Sequence, residues 1–186
     1  MSTVSVREAV EADAAEIARI QRVTWRTAYQ GVLSEQALAE LGSPGIEARW
    51  AEAIGHPGSR IHLAVEGGFT VGFCVAGPAP REDVADAAGN VPADADRTGL
   101  IGPLLVEPRW SRRGHGGRLL DAAAAGLREL GAGRGITWAA ESDAATLGFY
   151  RRAGWHPDGT VRTLDTGERR LRELRLTGAL DIQLVE

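Results

Sequence analysis

The chain of 186 residues contains no lysine: all 21 of its basic residues are arginine, set against 25 acidic ones for a formal charge of -4. Such a chain lacks the basic surplus of a general nucleic-acid binder. Without lysine it also cannot form a Gly-Lys-Ser/Thr phosphate loop, so any phosphate site must arise from local placement of charge. The one cysteine, Cys74, cannot form an internal bridge, which excludes a disulfide scaffold and predicts a reducing, cytoplasmic setting. No run approaches the roughly 18 apolar residues of a membrane span, and no membrane partner is expected. The opening MSTVSVREAV carries Arg7 and Glu8 and no apolar segment, so no signal peptide is expected. His56, His62, His115 and His156 show no metal-ligand spacing, and no metal site is expected. What remains is an ordinary globular composition, 44% hydrophobic and 25% charged, at a length that suits one domain over residues 1–186 with its core in about 3–177.

Alternation of Val4, Val6 and Ala9 predicts a strand over 3–9. Asp13 with Glu16 three positions on has the form of a capping box. The helix that follows reaches about Ala28, and shorter helices are expected over 34–41 and 46–54. Two alternating runs around Gly67-Gly68 predict a hairpin. Residues 77–98 show no periodicity and read as a loop or lid. A strand over 100–106 is interrupted by Gly102-Pro103, which suggests a bulge or an unpaired edge. A helix over 116–130, a strand over 136–140, a helix over 143–153 and a hairpin of 160–165 with 171–177 complete the pattern.

The most informative segment runs from Leu104, Leu105 and Val106 through Pro108 to Leu120. An apolar strand ends, and a turn with Gly114, Gly116 and Gly117 enters an amphipathic helix. Glycines remove the Cβ atoms that would block approach to the backbone, so the N–H groups of the helix start can surround an anion. Arg109, Arg112, Arg113 and Arg118 bring four cations into ten residues, 109–118, that contain no acid. A dinucleotide fingerprint would need glycine where Leu119 stands. A glycine-rich helix cap with arginines on a solvated face is the bland alternative.

Val-x-Pro followed by x-x-Gly-x-Gly at a strand-to-helix turn resembles the acetyl-coenzyme A loop of the GCN5-related N-acetyltransferases. Residues 141–155 add a second resemblance, to the family's Asn-x-x-Ala-x-x-Phe-Tyr-x-x-x-Gly-Phe. Phe149, Tyr150, Gly154 and Trp155 match in type and spacing, Asp143 stands at the Asn position, and Thr146 replaces the Ala. The stretch from Trp25 to Gly31 and the closing Gly159–Thr177 hairpin also resemble bacterial members. The resemblance implies a mixed α/β fold: a central, mostly antiparallel sheet, flanked by helices, whose parallel fourth and fifth strands splay apart. It further implies acetyl-coenzyme A as cofactor. Pantetheine would pair with the main chain of Leu104, Leu105 and Val106, and pyrophosphate would rest on the N–H groups of Arg113, Gly114, His115, Gly116, Gly117 and Arg118. Ser111, Arg112, Asp143 and Phe149 complete the expected cofactor contacts. Ser111 departs from the Gln or Arg common in the family, while a backbone cradle does not depend on that side chain.

The implied reaction is direct acetyl transfer to a primary amine in a ternary complex. Tyr150 is the implied proton donor to the departing thiolate, and a backbone N–H near Val106 the implied oxyanion partner. The residues leave the general base open among Glu141, Glu82, Asp83, Glu107 and a water chain. Acetyltransferases of ribosomal-protein N-termini commonly carry a Glu where Trp138 stands, which counts against that subfamily. Trp25 and Tyr29, four apart on a helix, read as core packing or as a wall of the acceptor pocket. Cys74 reads as a buried, inert thiol. Glu82, Asp83, Asp94 and Asp96 make the 77–98 loop acidic, either as a solvated face or as a gate that draws in a cationic amine. A small-molecule amine and a peptide N-terminus both remain open as acceptor, as does a homodimer. The rival from another class is an acyl-coenzyme A sensing module without chemistry.

Overall fold

The computed structural model describes residues 3–30, 33–40, 42–165 and 170–183. Seven strands form one sheet in the order β1-β2-β3-β4-β5-β7-β6. They are β1 Val4–Glu8, β2 Arg60–Glu66, β3 Phe69–Pro78, β4 Thr98–Val106, β5 Arg134–Ala140, β6 His156–Asp165 and β7 Arg170–Gly178. All neighbouring pairs are antiparallel except β4 with β5. The helices are α1 Ala14–Ala28, α2 Glu35–Glu40, α3 Pro44–Gly55, α4 Arg81–Val84, α5 His115–Glu129 and α6 Ala144–Arg152. The expected fold class is the one observed. Of the resembling stretch near Trp25, Gly31 lies outside the described residues, as do Leu41 and the tip of the closing hairpin.

Strand alternation sorts the side chains into two layers. Ile61, Leu63 and Phe73 face α1 through Ile17 and Ile20, with Trp50 of α3 edge-on to Phe73 at 5.2 Å. On the other face, Ala64, Cys74, Ala76 and Ile101 receive Leu119, Leu120, Ala123, Ala124 and Leu127 of α5. Asp13 does not cap α1. It lies in a 3-10 turn, Glu11–Asp13, ahead of the helix, and its carboxylate turns back to the Val10 N–H (2.8 Å) and to Arg7 (2.7 and 2.8 Å). Beside that guanidinium it is held below the usual carboxylate range.

Trp155 anchors the far half of the sheet. It is buried against Ala139, Leu176 and Leu180, and its indole N–H donates to the Ala179 carbonyl at 3.1 Å. Gly135 and Gly178, partners across β5 and β7, lie beneath the indole, and a Cβ on either would fall within the ring. Gly178→Ala is therefore expected to destabilise the fold by about 3 kcal/mol, the upper part of the range for overpacking a core. Gly45→Ala, with nothing near its Cβ position, is the control. Chemical denaturation of the two variants checks the difference.

The 77–98 segment is built rather than loose. β3 extends to Pro78, α4 packs Val84 against Ile136 and Ala95, and Asp86 closes a turn by accepting from the Ala88 and Asn90 N–H groups.

Candidate active site

The parallel pairing of β4 and β5 lasts only three rungs, Thr98 with Arg134, Gly99 with Gly135 and Leu100 with Ile136. Beyond them both strands continue, to Val106 and Ala140, but diverge. The root of the divergence coincides with a bulge: Cys74 pairs with Leu104 and Ala76 with Ile101, so Val75 faces both Gly102 and Pro103. Pro103, with no N–H, suits a position where one ladder bond is missing. Thr137 Oγ1 fills the first lost rung by donating to the Ile101 carbonyl at 2.8 Å. Past that point, Leu104, Leu105 and Val106 pair with β3 on one side only. Their other edge faces the cleft, where an extended ligand with amide groups can pair with it.

The cleft leads to the glycine loop. A 3-10 turn at Pro108–Trp110 is followed by Arg112 at φ 62° and Gly114 at φ 80°, both left-handed, and α5 starts at His115. Left-handed residues alternating with ordinary ones turn successive N–H groups inward as an anion-binding nest, which the helix start extends. The side chains are used otherwise than the charge count suggests. Arg113 and the buried His115 both tie to Glu66 at the end of β2, at 3.1 and 2.7 Å. Arg113 also lies 4.9 Å over Trp110. Arg109 and Arg19 clamp the buried Glu107 at 2.8 and 2.5 Å, so Glu107 is a structural ion-pair partner rather than a free base. Arg118 folds back to donate to the Arg113 carbonyl at 3.2 Å. Arg112 alone of the four loop arginines has no hydrogen bond or ion pair among the described residues. Ser111 donates to the Glu107 carbonyl at 3.4 Å.

Tyr150 sits at the root of the divergence. It is 3% exposed, between Phe149 at 5.1 Å and Trp155 at 5.5 Å, and its phenol reaches the Thr137 side chain. Burial, with the neighbouring Cys74, pushes the phenol up from its ordinary value. Cys74 is itself buried and its thiol pushed up, as expected of an inert cysteine. Phe149 packs against the start of α5: a Cβ on Gly116 would lie 3.3 Å from its ring and 3.8 Å from Leu104. Asp143 caps α6, accepting from the Thr146 N–H at 3.0 Å and hydroxyl at 2.6 Å.

On the α1 face of the sheet, Trp25 and Tyr29 meet edge-on at 5.8 Å. Burial pushes the Tyr29 phenol up, and the Glu173 and Asp143 carboxylates push it further. Asp83 accepts from the Trp138 indole N–H and from Arg162, each at 3.1 Å. Arg162 lies 4.2 Å over the Trp138 ring and pairs with Glu173 at 2.5 Å. Asp94, by contrast, pairs with Arg134 at 2.6 Å, at the closed end of the β4–β5 pair, and Asp96 is exposed beside it. Glu82 is exposed on α4, and Glu141 pairs with Arg172 at 3.4 Å. The acidic loop thus divides, with Asp83 alone joined to the cluster around Trp138. Arg162 and Glu173 carry no local sequence signal. Strand alternation puts them on one face of their hairpin, but nothing local says which strand lies beside it. Among the described residues, no cluster of His, Cys, Asp or Glu could hold a metal ion. No helix there is long and apolar enough to cross a membrane.

A strand pair that splays at a bulge and opens onto a glycine-lined helix start is what the two motifs implied. The sequence profile of the acetyltransferase (GNAT) family matches residues 15–155, from α1 to Trp155. The chain belongs to the GNAT acetyltransferase family. Solved GNAT structures share its architecture across almost its whole length. An N-acetyltransferase from Staphylococcus aureus Mu50 is 15% identical, with a TM-score of 0.73 over 97% of this chain and 100% of its own. The PaiA N-acetyltransferase of Thermoplasma acidophilum, in complex with coenzyme A, is 14% identical, with a TM-score of 0.68 over 95% and 99%. The yncA acetyltransferase of Salmonella typhimurium, with acetyl-coenzyme A, is 18% identical, with a TM-score of 0.65 over 100% and 98%. No curated protein matches the sequence significantly.

Proposed function

We propose that this GNAT chain moves the acetyl group of acetyl-coenzyme A to a primary amine by direct attack in a ternary complex. The observation that carries the reading is the one-sided pairing of Leu104–Val106 beside a cleft that ends at the Arg112–Gly117 nest. A strand edge suits the amides of pantetheine, and orphan N–H groups suit a pyrophosphate. Two relatives of the same fold hold coenzyme A or acetyl-coenzyme A.

When bound, the thioester supplies an activated acetyl group. The chain's own residues then have separate tasks. The unpaired N–H groups near Val106 stabilise negative charge on the carbonyl oxygen. Tyr150, neutral and buried at the root of the cleft, offers a proton to the departing sulfur. Ser111, Arg112 and the N–H groups of Arg113–Arg118 hold the phosphates, while Glu66 keeps the loop in shape through Arg113 and His115. The acceptor, a small-molecule amine or a peptide N-terminus, approaches from the Trp25–Tyr29 side, opposite α5. Thiol release from acetyl-coenzyme A with a broad panel of primary amines is the test. Amine-dependent release is expected. Tight coenzyme A binding with no release from any amine would favour the sensing module instead.

A further inference from the structure

On the acceptor side one carboxylate is placed unlike the others. Glu173 of β7 stands opposite Ala140, the last residue of β5, where that strand has parted from β4. Its Oε2 accepts from Arg162 Nε at 2.5 Å, and Oε1 has no hydrogen-bond partner among the described residues. The side chain is 12% exposed, so it is open to a ligand without being freely solvated. Arg162 in turn is fixed by Asp83 and by the Trp138 ring, so the pair cannot swing away. Tyr29 closes α1, which packs on β3 and β4, and its phenol, raised first by burial, is raised further by the Glu173 carboxylate. Asp83, Glu173 and Arg162, with Arg175 and its partner Asp158, together leave one negative charge around the Trp138 ring. The other candidate carboxylates are placed differently: Glu107 is held by two arginines, Asp143 by the α6 cap, Glu141 and Asp94 lie in open surface pairs with Arg172 and Arg134, and Glu82 is exposed on α4.

We propose that Glu173, gripped by Arg162 on one oxygen and open on the other, receives the ammonium of a cationic primary amine and takes its proton, beside the Arg162–Trp138 stack where β5 has parted from β4. The proposal rests on the transferase reading above and names the side of the reaction which that reading leaves without a base. An ammonium N–H bond breaks and its proton passes to Glu173 Oε1. The freed lone pair forms the N–C bond to the acetyl carbonyl, the C–S bond breaks, and the sulfur takes a proton from Tyr150, which recovers one from the attacking nitrogen. Ammonium and thioester thus become amide, thiol and one proton, which Glu173 passes to solvent. The charged groups around Glu173 are Arg162 from β6, Asp83 behind it from α4, and Arg175 two residues along its own strand, itself paired with Asp158 at 2.7 Å; Asp143 at the head of α6, like Glu173, raises the Tyr29 phenol. A site with a negative charge to spare favours cationic amines over those carrying a nearby carboxylate.

The test compares wild type, Glu173→Gln and Glu173→Asp in thiol release from acetyl-coenzyme A, with a panel of arylethylamines and aliphatic diamines from neutral to alkaline pH. Gln keeps the shape and the Arg162 contact but cannot hold the proton. Its turnover at neutral pH is expected to fall about 100-fold, the low end for removal of a general base, with coenzyme A affinity unchanged. The deficit is expected to shrink above the acceptor's own pKa, where the amine arrives neutral, and Glu173→Asp is expected to recover part of the loss. Turnover of Glu173→Gln within about threefold of wild type, too small for that role, overturns the proposal and leaves the transferase reading standing. So does a deficit equal at every pH, which marks a structural role. Wild-type protein that acetylates no amine overturns the transferase reading and the proposal with it.

Discussion

Gly116→Glu is expected to abolish coenzyme A binding while the chain remains folded. Gly116 is the second residue of α5, and its N–H is among the orphan donors of the helix start. A side chain there must enter the space between the Phe149 ring and Leu104, where even a Cβ is 3.3 Å from the ring. A carboxylate would also lie where the phosphates belong. Two charges about 4 Å apart near a protein surface repel by roughly 4 kcal/mol, which alone lowers affinity about a thousandfold. The fold itself gains from an acid in the first turn of a helix, through the macrodipole, so electrostatics does not threaten folding. Gly116→Ala separates the two effects: it crowds Phe149 without adding charge and is expected to weaken binding by far less. Calorimetric titration of coenzyme A into both variants, beside a thermal melt, checks this. Unchanged affinity in Gly116→Glu would refute the assignment of the loop as the phosphate cradle.

The loop could be read in the sequence because a backbone anion site imposes local requirements: glycine where the chain turns left-handed, a strand before and a helix after. Gly102-Pro103 was legible for the same reason, since proline in a central strand leaves a rung unmade wherever it sits. What could not be read depends on distant pairing. The four loop arginines look alike in sequence, yet Glu66, some fifty residues upstream, takes Arg113 and His115, and Glu107 takes Arg109. Asp83 and Asp94 belong to one acidic segment, but the register of β4 on β5 sends Asp94 to the closed end. α4, meanwhile, lays Asp83 against Trp138. Glu173 becomes a candidate only once β7 is known to lie between β5 and β6. Asp13 shows the same limit within six residues. Arg7, from the neighbouring strand, competes for the carboxylate and wins it by a two-pronged contact stronger than a neutral cap.

Tyr150→Phe is expected to lower turnover about 100-fold or more, the usual scale for a positioned proton donor, with coenzyme A affinity nearly kept. The structure sharpens the choice between donor and core anchor, because Tyr150 is as buried as any core residue. Phenylalanine preserves the ring between Phe149 and Trp155, so the packing contribution survives. The loss of one buried polar contact, to Thr137, costs about 1 kcal/mol of stability. A packing role therefore predicts a small change in stability and almost none in turnover, whereas a donor role predicts the reverse. Burial bears on the chemistry as well. Burial, and the neighbouring Cys74, push the phenol up and so favour its neutral form, which holds the proton to be given. Giving it to a free thiolate, ordinarily near pKa ~8.5, is correspondingly uphill. A donor of this kind is expected to release its proton together with C–S cleavage, as charge builds on the sulfur. Two readouts decide: turnover, and the dependence of turnover on solvent deuterium, which a proton moving with bond cleavage makes large in wild type and Tyr150→Phe removes. Turnover within about threefold of wild type, too little for a donor, would leave Tyr150 as the ring that fills the root of the cleft.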